Sequence, residues 1–257
     1  MYEAMMIAAT GLRNQQSRLD TIANNVANLN STAYKSTRLD FKDAMYTAGI
    51  VPARPRTPDG NQQKGHGVMI AGTAKDFSIG NMQVTERPLD AAIEGEGFFE
   101  LEDGAGNIFY TRNGSFNLSD EEDGVYLVNG DGLYVLDVYG ERISVPYGTE
   151  TINIDNAGNI NFIVFGEGMT ATLGVYTFRN LTGLLSSGNG TYSETPASGE
   201  KFPADGVVIR QGVLEGSNVS MMEEMTRMIR TQRAFQLASR ALTTADEMEG
   251  IANNMKR

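Results

Sequence analysis

The 257-residue chain has no cysteine and a single histidine, and those two shortages remove several chemistries at once. Without thiols there is no disulfide framework, no thiolate zinc site and no cysteine nucleophile. His66 sits in Lys64-Gly65-His66-Gly67, and one imidazole without cysteine supplies no zinc ligand set. It reads as a solvated loop residue. Long apolar runs are missing too: no stretch of 18 or more apolar residues occurs, so no membrane-spanning helix is expected. Met1 to Ile7 lacks the basic start and apolar stretch of a secretory signal, so no cleaved leader is expected either. A basic surface is also lacking. Residues 61–200 carry 6 basic and 20 acidic side chains, against 7 and 5 in residues 1–60 and 8 and 7 in residues 201–257. Nothing here resembles a phosphate-neutralising patch, which argues against a nucleic-acid partner.

What is present divides the chain into two kinds of sequence. Leu12–Ala48 and Ser217–Glu249 contain neither glycine nor proline, whereas glycine and proline recur every few residues between them. In the first segment Met5, Leu12, Leu19 and Val26 fall seven apart, and Ala8, Ile22 and Leu29 follow three of them by three residues. This is an a/d heptad seam, interrupted by Gln15, and such a stripe requires a partner helix. Asn24, Asn25, Asn28 and Asn30 crowd its end and predict a stop near Asn28–Thr32, because asparagine favours caps and turns.

The last segment opens on a capping-box pair, Ser220 and Glu223. Its apolar stripe runs Met221, Met225, Met228, Phe235, Ala238, Leu242, Ala245 and Met248 and continues to Met255, with Gln232 filling one gap. The mean step is 3.4 residues, shorter than the helical repeat, and predicts left-handed supercoiling against another helix. Arg227, Arg230, Arg233 and Arg240 occupy the opposite, solvated face.

The middle alternates β-branched or aromatic runs with turn dipeptides such as Asp103-Gly104, Asn113-Gly114, Asp123-Gly124 and Asn129-Gly130. Gly97–Leu101, Val125–Val128, Ile160–Phe165 and Gly174–Phe178 read as antiparallel strands between them. The expected fold is therefore α+β. Terminal helices from 1–32 and 213–257 form a coiled-coil core domain, 33–79 is an extended connector with Pro-rich Val51–Lys64 at its centre, and 80–212 is an inserted antiparallel β domain.

Sharper chemistry finds little support. Glu94 with Glu96, or Glu100 with Glu102, would lie about 7 Å apart on one strand face, within glycosidase range, but an exposed and solvated strand face explains them as well. Asp120-Glu121-Glu122-Asp123 lacks the spacing of a calcium loop, and Gly95-Glu96-Gly97 lacks the third glycine of a dinucleotide fingerprint. No catalytic, cofactor-binding or metal-binding residue is expected. The methionine-rich stripe suits a surface that is core and subunit contact together. Two other classes compete with self-association: a secreted wall-degrading enzyme with helical extensions, and an adhesin-like β domain on a coiled-coil stalk.

Ile22-Ala23-Asn24-Asn25-Val26-Ala27-Asn28-Leu29-Asn30-Ser31-Thr32-Ala33-Tyr34-Lys35 resembles the N-terminal signature of the flagellar rod and hook axial proteins. Ile93–Phe99, Tyr110–Phe116, Leu127–Gly130 and Gln232–Gln236 resemble further segments of that family in the same order. The family usually carries glycine where this chain has Ala33, which implies a slightly different local turn. Chain length and the Phe41–Met82 segment look most like the distal-rod type, with the proximal-rod and hook types as alternatives.

The resemblance implies a non-enzymatic subunit that self-assembles into a hollow helical drive shaft, transmits torque and lets exported subunits pass. It implies proximal rod proteins and a hook or hook–rod junction protein as neighbours, ring proteins around the shaft, and the flagellar type III export apparatus as the route to the periplasm or cell-wall space. On this reading Met5, Leu12, Leu19, Ile22, Val26 and Leu29 form the subunit interface with the C-terminal stripe. Asn24, Asn25, Ala27, Asn28, Tyr34 and Lys35 are the signature residues.

Overall fold

Glycine-poor, proline-free ends and a turn-rich middle become two long helices and a set of antiparallel strands in the computed structural model, which describes residues 2–43, 47–48, 63–64, 67–164 and 167–255. Most of the Val51–Lys64 connector, His66 and Phe165 lie outside the described residues. Helix α1 spans Tyr2–Ala27, and Asn28–Asn30 form the turn that ends it. Helix α2 spans Met221–Asn254 and starts directly after Ser220, whose carbonyl accepts the Glu224 N–H at 3.0 Å. At 1.5 Å per residue the two helices are about 39 and 51 Å long. The chain groups into two compact units.

The first unit comprises residues 1–27, 37–75 and 220–257. In it α1 and α2 pack against each other. The stretch read as an extended connector holds a ribbon: β1 (Thr37–Asp43) is followed by β2 (Thr47–Ala48), β3 (Gln63–Lys64) and β4 (Val68–Lys75). Strands β1 and β4 pair antiparallel with a bulge between Asp40 and Phe41, and β2 pairs with β3. The ribbon packs on α1. Its apolar residues Val68, Met69 and Ile70 are nevertheless exposed.

The second unit comprises residues 28–36 and 76–219. It begins with β5 (Met82–Val84), β6 (Ala91–Glu94), β7 (Phe98–Glu102), β8 (Ile108–Thr111), β9 (Asn117–Glu121), β10 (Gly124–Val128), β11 (Tyr134–Val135) and β12 (Ser144–Val145). A meander of β13 (Thr149–Ile154), β14 (Asn159–Val164) and β15 (Glu167–Thr172) makes its own three-stranded sheet. Then come β16 (Val175–Phe178), β17 (Leu185–Gly188), β18 (Thr191–Ser193), β19 (Lys201–Pro203), β20 (Val208–Gln211) and β21 (Val213–Glu215). The largest sheet runs β12-β10-β11-β7-β8-β18-β17, and β16 and β9 join it at β7 and β10.

Strand β7 explains where the core sits. Successive side chains on a strand point to opposite faces, and here both faces are covered. Phe99 and Leu101 enter an aliphatic core with Ile93, Phe116, Val135 and Ile160. Phe98 enters an aromatic cluster with Tyr110, Phe178 and Tyr192, whose rings meet edge-on at 4.8 to 6.2 Å. Glu100 shares the Phe98 face and is therefore fully buried, which corrects the expectation of a solvated carboxylate there. It accepts hydrogen bonds from the Lys201 ammonium and from the Tyr110 hydroxyl at 3.4 Å. Burial, reinforced by that carboxylate, pushes the Tyr110 hydroxyl pKa well above its ordinary value.

The turn residues do what their chemistry suggests. Asp103, Asn129, Asp137 and Asp155 each accept two backbone N–H groups, from the residues two and four positions on, at 2.8 to 2.9 Å. Such a side chain replaces a missing strand partner and closes the hairpin end. Ala33 takes a backbone conformation uncommon for a residue other than glycine. Its φ of 54° keeps the left-handed conformation natural to glycine, although the residue carries a buried methyl group.

Candidate functional site

The residues expected at a subunit interface differ in burial within the helix pair. On α1, Met5, Leu12, Leu19 and Val26 are half-buried and Ile22 is buried, 4% exposed. On α2, Met228, Phe235, Ala238, Leu242 and Ala245 are half-buried. Met221, Met225 and Met248 are not covered and stand about half exposed. Leu29 lies beyond the end of α1, half-buried in the second unit.

Inspection of periodicity missed a second set of apolar residues on α2. Met222, Ile229, Leu237 and Ile251 are exposed by 80, 53, 66 and 60%. Met222, Ile229 and Leu237 follow each other at steps of seven and eight, so they share a face other than the one read from the 3.4-residue stripe. The signal was available. Apolar residues are spread around α2 instead of being confined to one stripe, and a helix that is apolar on several sides is one meant to be enclosed. Met6 and Ile7 repeat the pattern at the start of α1.

Polar side chains fix this unit locally. Asn25 is buried; its Nδ2 donates to the Thr37 carbonyl at 2.9 Å and its Oδ1 accepts the Thr37 N–H at 3.0 Å. One amide thus satisfies both backbone groups of the first strand residue. Asn14 donates to the Val68 carbonyl at 2.6 Å, and the Arg18 guanidinium lies over the Phe41 ring at 5.8 Å. Glu224 is buried and accepts from Arg227 at 2.7 Å, while Arg227 itself is about half exposed. A groove beside them is lined by Arg18, Asn25, Arg38, Glu224 and Arg227.

The remaining signature residues divide in role. Asn24 and Ala27 are exposed, and Asn28 Oδ1 accepts the Ser31 hydroxyl at 3.1 Å inside the turn. Tyr34 and Lys35 belong to the second unit; the Tyr34 carbonyl accepts the Asn218 N–H at 3.3 Å, and Lys35 is fully buried.

The carboxylates weighed for catalysis do not face one another as a pair. Glu94 is ion-paired with Arg210 at 2.6 Å, Glu102 with Arg142 at 3.0 Å, and Glu100 is enclosed as described. Asp120–Asp123 are exposed around the β9–β10 turn, where Asp120 and Glu121 accept tyrosine hydroxyls from Tyr147 and Tyr134. Among the described residues no group of three or more histidine, aspartate or glutamate side chains is placed to hold a metal ion. Among them, too, no helix is long and apolar enough to cross a membrane.

Comparison with known proteins places matches along most of the chain. Residues 5–35 match the family described as "Flagella basal body rod protein", residues 92–162 the "Flagellar hook protein FlgE/F/G D1 domain", and residues 210–255 the "Flagellar basal body rod FlgEFG protein C-terminal". The flagellar basal-body rod protein FlgG of Borreliella burgdorferi is 38% identical, with 100% of each chain covered. FlgG of Agrobacterium fabrum is 36% identical over 98% of this chain and 99% of its own, and FlgG of Bacillus subtilis is 36% identical over 100% of both. On this full-length similarity the chain belongs to the FlgG family of flagellar basal-body rod proteins, a structural family and not an enzymatic one.

Proposed function

We propose that this chain is a structural subunit of the distal part of the flagellar basal-body rod, and that it assembles with copies of itself into a hollow helical shaft. The shaft transmits torque and passes later subunits outward. Residues 1–32 and 213–257 form its coiled-coil axial core, 80–212 its outer domain, and 33–79 the connection; the packing of the 37–75 ribbon on α1 supports assigning the ribbon to the core side. Its neighbours are proximal rod proteins on one side and a hook or hook–rod junction protein on the other, with ring proteins around it. It reaches the periplasmic or cell-wall space through the flagellar type III export apparatus.

The observation that carries this reading is the second apolar face of α2. Met222, Ile229, Leu237 and Ile251 are more than half exposed, although each fully buried side chain of that size is worth roughly 2 kcal/mol. Repeating copies around an axis would cover them at every position of a lattice. The test is Leu237→Asp. With Leu237 66% exposed, the isolated protein should keep its helix and sheet content. Cells carrying it should make the protein yet lack distal rod, hook and filament. Normal motility in that strain would overturn the reading.

A further inference from the structure

Among the described residues, a cluster of three buried charges lies outside both helices. Lys35 and Glu215, 180 residues apart, form an ion pair of 2.6 Å with both side chains fully buried. Arg112, 2% exposed, donates to the other carboxylate oxygen of Glu215 at 2.7 Å. Further hydrogen bonds tie these side chains to the surrounding backbone. Lys35 Nζ donates to the Ser78 carbonyl at 2.6 Å, and the Gly80 N–H donates to Glu215 Oε1 at 2.8 Å. The Arg112 guanidinium reaches the carbonyls of Gly97, Ile93 and Gly95 at 3.2, 3.2 and 2.9 Å. The backbone around the cluster is stitched as well: Ala33 N–H to the Glu215 carbonyl at 2.7 Å, Ser36 N–H to Asn218 Oδ1 at 2.8 Å, and Gly216 N–H to the Asn81 carbonyl at 2.7 Å. Gly80 passes so close that an added Cβ would sit 2.0 Å from the Gly216 oxygen.

Three ions withdrawn from water are a poor device for stability alone, since well-packed apolar residues of similar volume commonly do as well or better. What ions supply is a demand for one geometry, because displacing any member strands a buried charge. The segments joined here are not arbitrary. Residues 33–36 follow α1, and residues 215–218 lead into α2.

We propose that Lys35, Arg112 and Glu215 are positioning residues: a buried clasp that holds the chain leaving α1 in register against the chain entering α2, fixing the roots of both helices. Tyr34-Lys35 of the signature then serve this joint and not the subunit contact. The inference rests on the assembly reading, because fixed roots matter to a subunit whose helices must meet those of its copies.

The test uses the full-length monomer and amide hydrogen exchange. Lys35→Met removes the ammonium while leaving Arg112 on Glu215. The amides of Ala33 and Ser36 should then exchange about 100-fold faster, while those of Phe98–Leu101 stay within about threefold of the unsubstituted protein. Cells carrying Lys35→Met should assemble no distal rod, and Lys35→Arg, which keeps a cation, should recover most of the protection and some motility. Unchanged exchange at Ala33 and Ser36 would overturn the clasp. So would a uniform loss of protection through the whole β unit, or full motility with the joint loosened. Failure of the assembly reading shows separately, because Leu237→Asp leaves the clasp intact and its exchange unaltered while reporting on motility alone.

Discussion

The two units of this chain differ in how they satisfy their apolar residues. Among the described residues, the fully buried hydrophobic side chains lie in the β unit with the single exception of Ile22. The β unit encloses Ile93, Phe98, Phe99, Leu101, Phe116 and Val135 to zero exposure and has two distinct cores. The helical unit has a half-buried seam, an exposed second face on α2 and a ribbon whose Val68, Met69 and Ile70 face water. One unit buries its apolar side chains, and the other leaves many of its own exposed among the described residues. A long helix derives most of its stability from the packing of its apolar faces, so the helical unit should be the looser until those faces are covered.

That contrast can be broken most severely by cutting the β unit inside its buried ion pairs. A fragment of residues 80–212, the extent suggested by the strand pattern, lacks Lys35 and Glu215 and leaves the buried Arg112 guanidinium without its carboxylate. Removing one partner from a buried pair typically costs about 3–5 kcal/mol, and strand β21 is lost with it. This fragment should show no cooperative thermal transition, whereas residues 76–219, which keep Arg112 on Glu215, should show one. Calorimetry of the two fragments checks this.

A single side chain gives the next largest effect. Phe99→Ala empties a site at 0% exposure, where Phe99 meets Phe116 edge-on at 5.2 Å, and should destabilise the β unit by about 3–5 kcal/mol. Leu237→Ala on α2 should change monomer stability by under about 0.5 kcal/mol, because the residue is already 66% exposed. Denaturant midpoints of the two variants measure the difference between the units directly.

The acid limb of stability sharpens the comparison further. Burial alone raises the Glu215 pKa, but the Arg112 and Lys35 charges and the Gly80 N–H overcome it and hold the carboxyl below its ordinary value. A carboxylate with a depressed folded-state pKa stabilises the fold above its unfolded pKa, about 4.3, and that contribution disappears as pH falls through the lower folded value. Acid titration should therefore loosen the β unit below about pH 4. Glu215→Gln should flatten that acid dependence while lowering stability at neutral pH, as followed by the near-ultraviolet circular dichroism of the tyrosine-rich β unit.

The smallest effect concerns Ala33. Its left-handed backbone costs about 1–2 kcal/mol relative to glycine, but glycine forfeits the buried methyl, about 0.8 kcal/mol, and adds chain entropy of about 0.5–1 kcal/mol. These nearly cancel, and Ala33→Gly should shift stability by less than about 1 kcal/mol in a melting experiment.

How legible all this is in the sequence depends on the distance over which each feature is decided. Features set within one or two turns of chain read well. The asparagine cluster marks the end of α1 and Ser220 the start of α2, and Asp103 and Asn129 mark the ends of hairpins, where a local side chain satisfies local backbone groups. Gly97–Leu101 and Val125–Val128 read as strands for the same reason. Features set by distant partners do not. Glu100 looks solvated until Lys201 and both covered faces of β7 are known, and the Thr37–Lys75 ribbon pairs across a long intervening stretch. Arg112 and Glu215 are 103 residues apart, and nothing near either announces the other. On α2 the reading of a single stripe hid the second apolar face, since one face was sufficient to satisfy the heptad pattern.

The central claim is that the helical unit completes its core only in the assembly. Amide exchange of the monodisperse monomer, repeated on the assembled protein, tests it most directly. The amides of residues 5–27 and 221–254 should exchange about 100-fold or more faster than those of Phe98–Leu101 in the monomer, and should slow to comparable protection on assembly. Equal protection of helices and β core in the monomer, with no change on assembly, would contradict the account.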